Sequence, residues 1–229
     1  MTKYLKTFGL ATLLFLAGPA TAEKYQVDTA HSSLNFTVEH LGLSEINGRF
    51  TDFTGTLNFT PGTNDGSVEF IAQATSINTD VEKCDEHLRS ADFFDVAKYP
   101  TLSFKSTKVT HLSEDRYQVD GKLTIHGVTK PVTTSVRIVG PKEAMGAQKI
   151  GFRTTFKVNR IDYKVGDSEK YNSDAMIDHD IFIEIKGEAA QIETGKKKPT
   201  EEVKEEAKPE AAPAPEVEPE AAPEAKPEN

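Results

Sequence analysis

Tryptophan is absent from this chain of 229 residues, and cysteine occurs only once, as Cys84. A single cysteine cannot form an internal disulfide, so no covalent cross-link within the chain holds the fold together. We interpret Cys84 as a half-buried structural residue. Long apolar runs are also scarce, because beyond the N-terminal segment none approaches the ~20 residues that a transmembrane helix needs.

Basic residues are also fewer than acidic ones. The sequence has 27 Lys and Arg against 36 Asp and Glu, a net charge of −9. Affinity for a phosphate backbone comes mainly from clustered Lys and Arg, so we expect no nucleic-acid partner.

Signatures of catalysis and metal binding are missing from the sequence. The histidines form no HxH or HExxH pair, and the serines no G-x-S-x-G motif. The adjacent carboxylates Asp85 and Glu86 are interpreted as solvated loop residues. We therefore expect no catalytic residue, no metal site and no cofactor apart from a bound ligand. The six histidines are His31, His40, His87, His111, His126 and His179.

The first 22 residues have the pattern of a secretory signal peptide. Lys3 and Lys6 precede the apolar run FGLATLLFLAG, and the small residues of ATA lead to a predicted mature start at Glu23. Loss of the two lysines would leave 25 basic against 36 acidic residues, a net charge of about −11. We expect a soluble, exported protein.

Residues 196–229 differ abruptly in composition from the rest of the chain. They contain no aromatic residue, only Val203 and Val217 as large aliphatics, and frequent proline. Such a segment cannot bury enough apolar surface to offset its ordering entropy. We predict a disordered tail after a single globular domain at residues 23–195, which is long enough for a substantial core.

Apolar residues alternate with polar ones through most of this domain. In SSLNFTVEH, for example, Leu34, Phe36 and Val38 share one face. Short connections between about eight such runs favour an antiparallel sheet, either a sandwich or an up-and-down barrel. The other runs are at 57–59, 68–74, 102–104, 119–125, 132–138, 150–158 and 181–185.

One helix is predicted at roughly 83–96, with Asp80 as its N-cap and an end before Pro100. The adjacent Phe93 and Phe94 then lie on a connection outside the strands. An eight-stranded barrel can fill its interior or hold one small ligand. The phenylalanines therefore suit either a filled core or an apolar tunnel closed at one end.

Three segments carry a more specific signal. They read YQVDTAHSSLNFTVEHLGLSEINGRFTDFTGTL, SINTDVEKCDEHLRSADFFDVAKYPTLSFKSTKV and GKLTIHGVTKPVTTSV. In this order their motifs resemble the YceI-like family of exported polyisoprenoid-binding proteins, from Tyr25 to about Ala190. The resemblance implies an all-β fold, an extended eight-stranded antiparallel lipocalin-like barrel with one short helical crossover.

The resemblance also implies a function without catalysis. We expect a periplasmic or secreted protein that encloses a long isoprenoid lipid, such as an isoprenoid quinone, or a fatty acyl lipid, for transport, storage or scavenging. Transient membrane contact and a homodimer are both compatible with it.

The predicted ligand contacts fall into two sets. A polar rim for the lipid head group comprises His31, His40, Arg89 and Asp180. The apolar cavity wall comprises Phe36, Val38, Phe50, Phe53, Leu57, Phe93, Phe94, Phe104, Leu123, Ile125, Val136, Phe152 and Phe156.

Two other functions stay open at this point. Histidines remote in sequence could converge in a barrel and support a metal-assisted hydrolase or isomerase. Alternatively, the barrel could be filled, and a structural envelope protein could act through its Pro-Glu tail.

Overall fold

A computed structural model describes residues 22–168, 170–171 and 176–192. The predicted signal peptide and C-terminal tail lie outside these residues. The described part forms ten strands and one α-helix, α1, at Glu82–Arg89. The strands are β1 (Glu23–His40), β2 (Ser44–Phe50), β3 (Phe53–Phe59), β4 (Gly66–Gln73), β5 (Ile77–Asn78), β6 (Thr101–Ser113), β7 (Arg116–Ile125), β8 (Val128–Ala144), β9 (Ala147–Asn159) and β10 (Ile177–Gln191).

Eight of the strands close into an antiparallel barrel. Following hydrogen-bonded neighbours, the ring runs β1, β3, β4, β6, β7, β8, β9, β10 and back to β1. The closing pair is long, extending from Tyr25 opposite Gln191 to His40 opposite Ile177. Closure removes the exposed sheet edges that a sandwich would leave. The barrel alternative is thus confirmed.

The remaining strands extend one end of the wall. Residues 23–26 of β1 pair with β3, whereas residues 34–40 pair with β2, which in turn pairs with the short β5. We call this end, with the turn Leu41–Leu43 and the start of β10, the upper end. The opposite, lower end carries the turn between β8 and β9.

The lower half of the barrel is filled by side chains. Tyr25, Tyr117, Ile150 and Ala189 are almost completely inaccessible there. The Phe59 ring packs edge-on against Tyr117, with 5.1 Å between centroids. A second cluster, which includes Phe93, lies at the upper end.

The helix is shorter than predicted. It ends at Arg89 rather than near residue 96, because the chain then folds into turns in which the amides of Phe94 and Asp95 bond to the carbonyls of Leu88 and Ser90. Asp80 is not its N-cap. Val81 holds that position, and the Asp80 carboxylate pairs instead with Arg49 at 2.8 and 3.1 Å.

Candidate apolar cavity

The upper half of the barrel encloses an apolar cavity of about 380 Å³. Strands from all around the ring contribute to its wall, because alternate residues on each strand point inwards. The cavity falls within the size range of typical small-molecule sites. Among its aliphatic lining residues are Leu34, Val68, Leu102, Val119, Val132, Ile181, Ile183 and Ile185.

Of the thirteen residues predicted for the wall, twelve line this cavity. The exception is Phe53, which is buried in the main core cluster at the start of β3 but is not among the lining residues. The twelve are Phe36, Val38, Phe50, Leu57, Phe93, Phe94, Phe104, Leu123, Ile125, Val136, Phe152 and Phe156.

Phenylalanine rings form a connected row along the wall. Phe50 lies 6.0 Å from Phe36 and 5.9 Å from Phe94, centroid to centroid, the latter edge-on. Phe70 and Phe152 make a similar edge-on pair at 5.9 Å. Edge-to-face packing of this kind adds to the stabilisation from burial alone. The row ties the loop that carries Phe94 to strand β2.

Helix α1 is anchored across the upper end by two charged residues. The buried Asp85 carboxylate accepts hydrogen bonds from the Thr79 amide and hydroxyl, both at 2.7 Å. The Arg89 guanidinium donates to the carbonyls of Thr75 and Ile77, at 2.9 and 2.8 Å. Two predictions are therefore corrected: Asp85 is not solvated, and Arg89 is occupied in holding the helix rather than placed at a ligand rim.

Phe93 closes the upper end together with a small polar cluster. Its ring packs 4.9 Å from the His87 ring and 5.0 Å from the Tyr171 ring. The Tyr171 hydroxyl lies 2.9 Å from His87 Nε2 and donates to Asp92 at 3.2 Å. The adjacent phenylalanines therefore have different contacts. Phe93 packs against His87 and Tyr171 at the upper end, whereas Phe94 packs against Phe50 of β2.

A buried arginine organises the connection between β9 and β10. Arg160 is 4 % exposed, and its five N–H groups donate to the carbonyls of five residues at 2.6 to 3.0 Å. Five bonds match the full donor capacity of a guanidinium. Arg160 also lies beside the cavity, with its N–H groups turned to these carbonyls. The acceptors belong to Val165, Gly166, Tyr171, Ile177 and Asp178.

The predicted polar rim does not form as a group. His40 lines the cavity, but His31 is an exposed residue bonded to Asp28 at 2.9 Å and is not part of the wall. Asp180 alternates with the inward-facing Ile181 and accepts from Lys157 at 2.6 Å on the outer face. The hydrogen bond to Asp180 raises the pKa of Lys157.

Several lining residues were missed by reasoning from sequence. Tyr163, Val165 and Tyr171 lie in an irregular connection with no periodic pattern to identify them. Burial, followed by the nearby Asp162 charge, raises the pKa of Tyr163 to about 12. Thr134 and Thr154 also line the cavity, with hydroxyls 2.7 Å apart. Each falls in phase with the inward apolar residues of its strand, Thr134 between Val132 and Val136 and Thr154 between Phe152 and Phe156, and this was the available signal.

Two remaining predictions concern metal-ligating residues and the cysteine. Asp28, His31 and Glu188 bring potential ligand atoms within 4.8 Å of one another, although Lys149 also lies 3.3 Å from Glu188 and 3.7 Å from Asp28. Cys84 is exposed on α1 rather than half-buried, and it also lies among the residues that line the cavity. Among the described residues, no helix is long and apolar enough to cross a membrane.

Comparison with known proteins identifies the family. A UPF0312 protein of Vibrio parahaemolyticus is 38% identical over 188 residues, which cover 80% of this chain and 98% of the relative. The crystal structure of the Campylobacter jejuni YCEI protein, 26% identical, superposes with a TM-score of 0.61 over 82% of this chain and all of its own. A polyisoprenoid binding domain from Saccharophagus degradans shares the fold, with 18% identity and a TM-score of 0.58 over 75% of this chain and 99% of that domain. The YceI-like domain matches residues 25–189, and the chain therefore belongs to the YceI-like family.

Proposed function

We propose that this protein binds the long apolar chain of an isoprenoid or fatty acyl lipid inside the barrel, as a carrier or scavenger. The observation that carries the proposal is the cavity of about 380 Å³, whose wall exposes almost only apolar atoms. The N–H groups of Arg160 are all bonded to backbone carbonyls, so none is left to bind a polar group of the ligand.

The energetics are sufficient for useful affinity. Burying several hundred Å² of hydrocarbon at roughly 25 cal/mol per Å² stabilises a complex by on the order of 10 kcal/mol. Association costs at least about 4 kcal/mol. The remainder, together with contacts to the phenylalanine row, is compatible with a dissociation constant in the micromolar range.

The described ligand of a protein with the same fold supports an isoprenoid as the ligand. The Saccharophagus degradans domain that shares this fold is described as polyisoprenoid binding. A prenyl chain is long, branched and uncharged, which suits the apolar wall of this cavity.

We place this activity outside the cytoplasm, in the periplasm or secreted, on the basis of the N-terminal sequence pattern. Mass determination of the protein recovered from a fractionated host tests this. A mature start at Glu23 in the periplasmic or secreted fraction supports the assignment, and a full-length chain in the cytoplasm contradicts it.

The cavity is tested by filling it. Val136 points into the cavity, while its neighbour Ser135 is exposed on the outer face of the same strand. Val136→Trp should therefore displace the lipid, and Ser135→Trp is the matched control. Native mass spectrometry of protein from its own host, with extraction and identification of the lipid, measures occupancy. Uptake of palmitate and of a polyprenyl quinone measures it independently.

We expect a prenyl or acyl species in the wild type and in Ser135→Trp, and little in Val136→Trp. Thermal denaturation of all three proteins shows that the variants are folded. A wild type that neither co-purifies with such a lipid nor takes up either probe would overturn the proposal. Equal lipid uptake by Val136→Trp and the wild type would show that the lipid binds outside the cavity.

A further inference from the structure

The upper end of the barrel exposes apolar side chains directly beside the cavity. Leu41 and Leu43 belong to the tight turn between β1 and β2 and are 47% and 85% exposed. Met176, at the start of β10, is 40% exposed, and its carbonyl accepts a hydrogen bond from the Leu41 amide at 3.0 Å. We call Leu41, Leu43 and Met176 the apolar tip.

The apolar tip is continuous with the cavity wall. Met176 is both exposed and a lining residue, so one side chain bridges the surface and the interior. His40 and Ile46, which flank the turn on β1 and β2, also line the cavity. A lipid that enters or leaves beside this turn therefore meets apolar side chains from the surface inwards.

Exposure of an apolar turn residue is not by itself a sign of docking. At the lower end, Met145 is 94% exposed in the turn between β8 and β9, with the same left-handed backbone as Leu41 and a following glycine. No residue of that hairpin between 139 and 151 lines the cavity. The upper turn is distinguished by its junction with the cavity, and the lower turn is its natural control.

Two acidic residues beside the apolar tip favour one class of lipid head group over another. Glu39 and Glu45 face each other across the β1–β2 pair and are both exposed, and a Glu39 carboxylate oxygen lies close to Gly42 of the turn. Two like charges directly opposite one another are unfavourable unless a cation lies near them. Ammonium head groups complement this pair, whereas anionic head groups are repelled.

We propose that the apolar tip docks on a bilayer whose lipids carry ammonium head groups, and that lipid passes between the bilayer and the cavity beside the β1–β2 turn. This inference rests on the proposed lipid-binding function and assigns the partner surface. Leu41 and Leu43 insert among the head groups, and Met176 lines the path inwards.

The test variant is Leu41→Asn combined with Leu43→Asn. Asparagine accepts the positive φ of 58° at position 41, so the turn should be retained and the melting temperature should not fall. The Leu41 amide still bonds to Met176, because that contact is made by backbone atoms. Met145→Asn is the matched control, with the same change in the corresponding turn at the opposite end.

The first readout is flotation with vesicles of phosphatidylethanolamine and phosphatidylcholine, and with vesicles rich in phosphatidylglycerol. The wild type and Met145→Asn should bind the zwitterionic vesicles more strongly than the anionic ones. The double variant should bind about a hundredfold more weakly, since each of the two inserted leucines contributes roughly a factor of ten. The second readout is polyprenyl quinone uptake from vesicles, which should become slower while final occupancy stays the same.

Different results identify different failures. Absence of wild-type flotation, or identical flotation by the double variant, would overturn the docking proposal. A double variant that changes oligomeric state in sedimentation while flotation is unaltered would assign the apolar tip to contact between copies of the chain instead. Val136→Trp should float normally but stay empty, because docking does not need the cavity. A wild type that floats but neither carries nor takes up lipid would therefore count against the proposed function and not against docking.

Discussion

The ring of Phe36 occupies the space that a side chain at Gly48 would need. These residues are directly opposite one another on β1 and β2, and a Cβ built on Gly48 would overlap the Phe36 ring. The absence of a side chain on one strand thus lets the neighbouring strand lay a phenylalanine flat along the cavity wall. The Phe36 ring then contacts Phe50.

Gly48→Ala should push the Phe36 ring away from β2 and towards the cavity. We expect a loss of about 1–3 kcal/mol of unfolding free energy, typical of overpacking in a tight interior. Urea denaturation measures this loss. Phe36→Leu in the Gly48→Ala background should restore part of it, because a smaller side chain leaves room for the added methyl group. A double variant with simply additive losses would contradict a direct steric conflict.

Asp85→Ala should loosen helix α1 from the barrel. The Thr79 amide and hydroxyl would lose their acceptor in a buried place, which costs about 1–3 kcal/mol for an unsatisfied donor. Amide hydrogen exchange should increase across residues 79–95, and denaturation should report the stability loss. The neighbouring Glu86 is exposed, so Glu86→Ala is expected to change neither quantity. Equal effects of the two substitutions would contradict the anchoring role.

Arg160→Lys should destabilise the protein despite preserving the charge. Lysine has three donors and cannot reach the five carbonyls that the guanidinium serves, so several are left without a partner. We expect a loss of at least about 2 kcal/mol. Arg153→Lys on the preceding strand β9 is the control, since Arg153 is exposed and pairs with Glu184. That change should stay within about 0.5 kcal/mol.

Tyr163 should contribute to loss of stability in alkali. Its folded-state pKa of about 12 lies above its ordinary value, so its contribution is intact below about pH 10 and is lost as the pH rises towards 12. Urea denaturation between pH 9 and 12 should therefore show a shallower decline for Tyr163→Phe than for the wild type, by up to roughly 2 kcal/mol at the upper limit. Burial also raises the pKa of Tyr25, but Tyr25 is present in both proteins, so their difference isolates Tyr163. Parallel curves would contradict this assignment.

Inward-facing positions were predictable because strand alternation is a local property. Phe36, Val38, Leu123 and Phe156 all lie in runs of period two, and each faces the interior. Phe53 shows the limit of this reasoning. It shares the buried face of β3 with Leu57, yet only Leu57 is a lining residue, because alternation identifies the face of a strand but not which inward side chains border a hollow space.

The polar residues were less predictable than the apolar ones. Arg89 and Asp180 were assigned to a ligand rim from their residue types, yet each has a partner elsewhere: backbone carbonyls for Arg89 and Lys157 for Asp180. A charged side chain can pair with any partner that the fold brings near, and those partners lie up to 23 residues away in the chain.

The sequence by itself determined the eight strands of the ring and the family, since these depend on short-range pattern and on motifs read in order, whereas β2 and β5 were not predicted. Only the tertiary structure decided that the ring closes through β1 and β10, that the cavity lies in the upper half, and that Arg160 gathers five carbonyls. The physical reason is that closure, hollow volume and hydrogen-bond partners are set by contacts between segments distant in the chain, about which local periodicity carries no information.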